Sequence, residues 1–292
     1  MIHHPSSRFY ITSIANFDLS SRSRRINLAI KQRVLVTGAA GQIGGIIRNK
    51  LGYRYELTGL DVVDHDYPTS HVADLSDLDA ITPAFERQEV IVHLGADPSP
   101  SGSWDSILQN NIIGTRNVYE AARLAGVQRV ILASTNHVVG YYPMKQNPYK
   151  AIYDGRLSEV RRPFRLLDHT DIRPDSYYGV SKAFGESLGS YFHDAYGLSV
   201  ICIRIGWVMT PDDPTFHPSA LSLWLSHRDA AQVIQRSIEA PESVGYAIVH
   251  GMSKNALRIW DIESSKDIIG FEPDDGAKED WSVQDGRGGA TP

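Results

Sequence analysis

Residues 33–45, RVLVTGAAGQIGG, constrain the fold of this chain more than any other stretch. Residues 33–37 form a short β-branched, apolar run. The run breaks into Gly38-x-x-Gly41-x-x-Gly44 and passes into a helical pattern over 42–51. A strand that feeds a tight glycine turn and then a helix has a specific use. Gly38 permits the turn, Gly41 lets a pyrophosphate approach bare backbone, and Gly44 lets the helix pack close to the strand. The first N–H groups of the helix and the positive end of its dipole then face the phosphates. A glycine triplet alone fits a flexible loop equally well; the strand before it, the helix after it and an acid at the right distance decide for a dinucleotide. That acid is Asp61, at the end of the apolar run 55–60 and about 20 residues on, where a carboxylate accepts from a ribose 2′-OH. Asp61 would repel a 2′-phosphate, and Val62 and Val63 are not basic, so the expected cofactor is NAD rather than NADP.

The rest of the chain alternates. Strand patterns fall at 89–94, 129–133, 198–205 and 246–250, and helix patterns at 78–86, 104–124, 176–196 and 225–238. Residues 139–175 carry many Pro, Tyr and Arg and little periodicity. Such alternation implies βαβ units with right-handed crossovers. The expected fold is α/β, a doubly wound parallel sheet (Rossmann fold) in one domain over 31–273, with a small C-terminal substrate-binding portion. Ligands then bind at the carboxyl ends of the strands. Substrate-binding elements are expected at about 139–175 and 206–273. Residues 274–292, acidic and then Gly-rich, read as a flexible tail. Residues 1–30 hold Arg8, Arg22, Arg24 and Arg25, several serines and one acid, Asp18, and read as a disordered or targeting extension.

Bulk properties exclude several classes. A net charge of −5 on 292 residues gives no reason to expect nucleic acid or an anionic membrane as partner. No apolar run reaches the about 18 residues of a membrane span. Cys202 is the only cysteine and sits in an apolar run, which suits a reducing compartment and a cytoplasmic location, with organelle targeting by residues 1–30 as the competing reading. The eleven histidines show no HExxH or Cys/His spacing, so no metal is expected.

Tyr178 and Lys182 stand at i and i+4 on one helix face. A free tyrosine, with a pKa near ~10, is a poor base at pH 7. The Lys182 ammonium and a positive nicotinamide both favour phenolate and lower that value, so Tyr178 could take or give a proton. Alone, such a pair fits a solvated helix surface; with the glycine turn upstream it reads as catalytic. Ser134-Thr135-Asn136-His137 follows the strand 129–133 directly and could hold a reacting oxygen near Tyr178, although plain turn chemistry uses the same residue types. Asp74 and Leu75 open the loop after residue 73, where an adenine contact and the neighbourhood of a helix N-cap are both open.

These motifs, TGAAGQIGG, LD at 60–61, HLGA at 93–96, NNIIGT at 110–115, STNHVVGYYP at 134–143 and YYGVSK at 177–182, resemble those of the extended short-chain dehydrogenases/reductases, the superfamily of NAD-dependent sugar epimerases and dehydratases. The resemblance runs from about residue 33 to 273. It implies Tyr178 as general base, Lys182 as its electrostatic partner and ribose ligand, Thr135 as the hydroxyl that aligns substrate, and Asn111 as support for the lysine through water. It implies cofactor contacts from Gly38, Gly41, Gln42, Ile43, Gly44, Asp61, Asp74, Leu75, Leu94, Ala96, Asn111, Tyr178 and Lys182. STNH, GYYP and YGVSK are similar to the uronate dehydrogenases. The stretch DPSPSGSWDSILQNNIIGT and WLSHRD at 224–229 are similar to archaeal-type NAD-dependent glucose-6-phosphate dehydrogenases. Both groups oxidise a cyclic aldose at C1 to a lactone, which places Ser99, Thr135, Asn136, His137 and Tyr178 at the sugar.

The resemblance therefore implies an NAD-dependent oxidoreductase acting on the C1 hydroxyl of a hexose 6-phosphate or uronic acid, with an epimerase that recycles its cofactor as the alternative. Asn136-His137 replaces the Asp-Glu pair of dehydratases. The loop 210–220 lacks the arginine that grips the carboxylate in the uronate enzymes; His217 is its one basic residue. Thr135 and Tyr178 are 43 residues apart, longer than the superfamily leads one to expect, and the extra segment holds Arg156, Arg161, Arg162, Arg165 and Arg173. Guanidinium forks suit phosphate or carboxylate. The insert could therefore clamp an anionic sugar, although charge runs of this kind are more often solvated loop residues. Helices 104–124 and 176–196 are expected to pair across a homodimer, as the superfamily often does.

Overall fold

The computed structural model describes residues 31–278; the extension expected at 1–30 and the segment 279–292 lie outside them. Among the described residues, seven strands form one parallel sheet: β1 (Arg33–Thr37), β2 (Glu56–Asp61), β3 (Thr69–Val72), β4 (Val90–His93), β5 (Arg129–Thr135), β6 (Ser199–Ile205) and β7 (Tyr246–Gly251). Their order is β3-β2-β1-β4-β5-β6-β7. The inner strands are buried along almost their whole length, as a sheet covered on both faces requires, which is why they read as continuous apolar runs. The chain winds outward from β1 to β3 and then returns to β4, so the order reverses between β1 and β4. Register pairs Thr37 with both Leu60 and His93, so the strands on either side of that switch end at one level. The sequence pattern did not reveal β3. It is a short edge strand with mostly exposed side chains, and it carries no apolar alternation.

Helices α1 (Gln42–Leu51) and α2 (Leu78–Phe85) follow β1 and β3. The expected helix 104–124 is divided. It opens as α3 (Trp104–Ile107), widens to a π-helical segment Leu108–Ile113, and closes as α4 (Gly114–Leu124). Beyond β5 a 3₁₀ turn, Asn136–Val139, leads into α5 (Tyr141–Lys145) and α6 (Tyr149–Tyr153), two short helices where the sequence showed no period. Next come α7 (Tyr177–Tyr196), α8 (Ala220–Leu223), α9 (His227–Ile238) and α10 (Glu263–Ile269). Residues of α1 and α9 share an apolar core with one sheet face, and residues of α2, α4 and α7 share one with the other.

A third core joins the insert to the C-terminal portion. Val138, Tyr149, Ile152 and Leu167 pack with Leu223, Trp224, Leu257 and Trp260. Leu167 N–H donates to Ile259 O at 2.8 Å, and Asp261 N–H donates to Leu167 O at 2.9 Å. Arg204, fully buried on β6, pins this unit to the sheet. Its guanidinium meets Glu186 of α7 at 2.8 Å twice and donates to the carbonyl of Asp171 at 2.9 Å. The packed chain also runs past Pro273, where the sequence reading ends it. Asp275 pairs with Arg228, and Ala277 is buried with its N–H bonded to Asn255 Oδ1.

Candidate active site

One cleft of about 750 Å³ crosses the carboxyl edge of the sheet, from Asp61 on β2 past β1, β4 and β5 to the loop after β6. With strands ~4.8 Å apart, about 14 Å separates β2 from β5. The cleft begins at the glycine turn. Gly38 has φ +70°, and a Cβ there would lie 2.7 Å from the backbone N of Gly95; a Cβ at Gly44 would lie 2.5 Å from Ala39 O. The turn can therefore only be made, and α1 only seated, without those side chains. At Gly41 a Cβ would press on Gly38 O at 3.2 Å, so the bare residue keeps the turn compact at the helix N-terminus. Gly41 caps α1 without a side-chain hydrogen bond, and the first turn holds no acid. Gln42 and Ile43 line the cleft there. Backbone donors and the helix dipole thus meet an anion with no competing side chain, which is the fit a pyrophosphate needs.

Asp61 is held by the N–H groups of Ala40, at 3.0 Å, and Val62, at 2.7 Å, and faces the same cleft. Asp74, Leu75, Leu94 and Ala96 line it as well. Asp74 Oδ1 accepts from Ser76 N–H at 2.8 Å, closing a local turn ahead of α2. Below the rim, His93 of β4 bridges Thr37 Oγ1 at 2.8 Å and Thr115 Oγ1 at 3.1 Å, and burial pushes its pKa down to about 3. The imidazole is a neutral strut across the strand-order switch.

The second cluster lies at β5. Thr135, Asn136 and His137 leave the end of that strand, and Tyr178 and Lys182 come from the first turns of α7; all five line the cleft. Ser176 caps α7 by accepting from Gly179 N–H at 3.1 Å, which starts the helix one residue before the tyrosine pair. Lys182 Nζ sits 5.7 Å from the centre of the Tyr178 ring, and Lys182 is 3% exposed. The electrostatics correct the sequence reading. Lys182 was expected to lower the Tyr178 pKa, but burial dominates and pushes the phenol up to about 12, with the Thr135 hydroxyl pulling it down and Asp97 adding to the rise. Burial also drives the Lys182 ammonium down to about 8.

Asn111, Ser99 and the five arginines of the insert lie outside the lining. Asn111, on the π-helical segment, is behind the lining. Its carboxamide accepts from Asp97 N–H and donates to Asp97 O and Ser181 Oγ, all within 3.0 Å, so it braces the β4 loop against α7. Ser99 is absent from the lining although Pro98 and Pro100 contribute to it; its N–H donates to Asp97 Oδ1 and its hydroxyl accepts from Ser101 N–H. The anion clamp also fails as drawn, for none of the five arginines lines the cleft. Arg156 pairs with Asp154 and Glu159, Arg165 with Asp168 and Asp171, and Arg173 lies over the Tyr142 ring. Conversely, sequence reasoning missed Asp175, Trp207, Met209 and Phe216. Asp175 binds His137, and the other three line the cleft from the β6 loop. The acid directly before the Ser176 cap and the aromatic residue two places after β6 were the available signals.

Comparison with known proteins agrees with this geometry. Residues 34–241 match the model of the NAD dependent epimerase/dehydratase family. The chain is 36% identical over 261 residues to an NAD-dependent glucose-6-phosphate dehydrogenase of Haloferax volcanii, covering 85% of this chain and 95% of that one. It is 36% identical over 258 residues to an L-arabinose 1-dehydrogenase (NAD(P)(+)) of the same organism, covering 83% and 96%. A uronate dehydrogenase from Agrobacterium tumefaciens, solved as a mutant complexed with NAD, superposes with a TM-score of 0.72 at 34% identity, covering 85% and 86%.

Proposed function

The chain belongs to the NAD dependent epimerase/dehydratase family, and on that premise we propose that it is an NAD-dependent dehydrogenase that oxidises the C1 hydroxyl of a cyclic aldose to the lactone. One observation carries the reading: Thr135, Tyr178 and Lys182 line the same cleft as Gly38, at the end of β1 two strands from β5, and Asp61, at the end of β2 three strands from it. When bound, NAD supplies the hydride acceptor and a cationic ring that favours the Tyr178 phenolate. Gln42, Ile43 and the bare turn at Gly41 hold the pyrophosphate, and Asp61 holds the ribose. Thr135 and Tyr178 fix the sugar's C1 hydroxyl, and Tyr178 Oη takes its proton as the C1–H bond breaks. The Lys182 ammonium, 5.7 Å from the ring, stabilises the charge that develops on the phenol. Asn111 and Ser181 position the helix that carries both.

Incubation with NAD and a panel of aldoses tests this. Stoichiometric NADH and lactone are expected. Epimerised sugar without net NADH would instead support the recycling reading.

Two further parts belong to the proposal. Trp104, Leu124, Tyr177, Val180, Tyr191 and Tyr196 are large, 45–57% exposed, and lie on α3, α4 and α7, which supports a homodimer paired through those helices. Val180→Glu with Tyr191→Glu should yield a monomer by light scattering. Among the described residues no helix is long and apolar enough to cross a membrane, and Cys202 is buried and unpaired, which supports a place in the reducing cytoplasm.

A further inference from the structure

The charges around the sugar end of the cleft carry an inference that rests on the dehydrogenase reading. Beyond Tyr178 the cleft is lined by Asn136 and His137 after β5 and by Trp207, Met209 and Phe216 after β6. Among the described lining residues the basic side chains are Lys182 and His137. Lys182 is tied to the phenol. His137 is tied to a carboxylate: its Nδ1 lies 3.0 and 2.9 Å from the two oxygens of Asp175, whose side chain is 3% exposed. An ionised carboxylate only accepts, so Nδ1 carries a hydrogen, and in the neutral imidazole Nε2, the other ring nitrogen, is an acceptor. The pair is built in. Ser176 Oγ donates to Asp175 Oδ1 at 2.8 Å, and a Cβ on Gly140 would lie 1.8 Å from Oδ2, so only glycine leaves room there.

A second carboxylate, Asp97, sits close enough to raise the Tyr178 pKa. It is held by Ser99 N–H and Ser106 Oγ. No arginine is among the described lining residues: Arg204 is bound to Glu186, Arg165 to Asp171, and Arg173 lies over the Tyr142 ring. A carboxylate or phosphate on the sugar would leave water for a site with Asp175 and Asp97 just behind its lining and no arginine among the described lining residues. An uncharged sugar meets partners it can use. A hydroxyl can donate to His137 Nε2, and the apolar C–H face of the ring can lie on Trp207 and Phe216, whose rings are 6.2 Å apart and 13° from parallel.

We propose that this end of the cleft takes an uncharged aldose, and that Asp175 makes it selective by holding His137 as a hydrogen-bond acceptor backed by a negative charge. Asp175 acts through His137 and is a positioning residue.

The test uses the unmodified protein with NAD. Aldopentoses and aldohexoses are compared with hexuronates and hexose 6-phosphates of matching ring configuration, by kcat/KM from NADH formation. The uncharged sugars should lead by about 10–100-fold. Equal or greater kcat/KM with an anionic sugar overturns this proposal and leaves the dehydrogenase reading intact. NADH from no sugar at all removes that reading and this proposal with it. Asp175→Asn, assayed on the same panel, should narrow the uncharged-to-anionic ratio by about tenfold, a change that general loosening does not produce. A lowered kcat at an unchanged ratio would overturn the role given to Asp175.

Discussion

The two ends of the cleft are made by different means. The dinucleotide end is backbone: a turn of consecutive residues, an uncapped helix N-terminus and one carboxylate braced by two N–H groups. The sugar end is side chains brought from separate segments. His137 comes from the 3₁₀ turn after β5, Asp175 from the residue before the α7 cap, and Trp207 and Phe216 from the β6 loop. Backbone geometry forgives most side-chain changes and so can be shared across many enzymes. A site made of side chains can change its ligand by a few substitutions, which is how one family comes to include relatives named for a phosphate, a uronate and an arabinose.

Changes that separate the two ends sharpen this contrast. The largest effect is expected at Glu186, whose carboxylate takes Arg204 at 2.8 Å and Ser134 Oγ at 2.6 Å. Glu186→Gln leaves a buried guanidinium without its counter-charge and should cost about 3–5 kcal/mol in denaturant unfolding. In the folded fraction, the sugar KM should rise while NAD binding holds. Equal damage to both would mean that Arg204 does not serve the sugar end in particular.

Tyr178→Phe acts where the ends meet. It should lower kcat by about 10²–10⁴-fold with the NAD Kd unchanged. A variant that keeps more than a tenth of kcat removes Tyr178 as the base.

Lys182→Met should also abolish turnover, yet stabilise the fold. Burial moves the folded-state pKa of Lys182 from 10.5 to about 8, so below pH 8 both folded and unfolded chains hold the proton and the burial cost is present in full. Between pH 8 and 10.5 the folded chain sheds it first, and stability rises with pH. The gain from Lys182→Met should be about 1–3 kcal/mol at pH 7 and shrink by pH 10.5. A gap that does not vary with pH would show that the ammonium is better solvated than its position implies.

At the dinucleotide end, Asp61→Asn should raise the NAD Kd about tenfold and leave the sugar KM alone. The smallest effect is expected from the insert. Replacing Arg161, Arg162 and Arg165 together by Ala should leave the sugar KM within about twofold. A large rise would restore the clamp and move part of the sugar end into the insert.

Much of this was legible in the sequence. Strand β1, the glycine turn, Asp61 and the Tyr178–Lys182 pair each depend on residues within a few positions of one another, or on a spacing the βαβ unit imposes. Strand β3 was not legible because an exposed edge strand has no core to mark it. The π-helical segment was not either, because one extra residue in a turn does not disturb an apolar face enough to be seen. Asn111 and Ser99 were placed one layer too far inward, since position in a motif does not say which way a side chain turns.

The sequence by itself determined a parallel sheet, a bare glycine turn into a helix, and a phenol and an amine one helical turn apart, because short-range backbone geometry and helical period set all three. Only the tertiary structure decided which charges the sugar meets. Five arginines in one segment look like an anion site until none of them is found at the cleft, Arg156 and Arg165 are found paired with Asp154, Glu159, Asp168 and Asp171, and Asp175 is found beside His137. Ion pairing depends on distance through space, and the fold sets that distance between residues the chain keeps far apart.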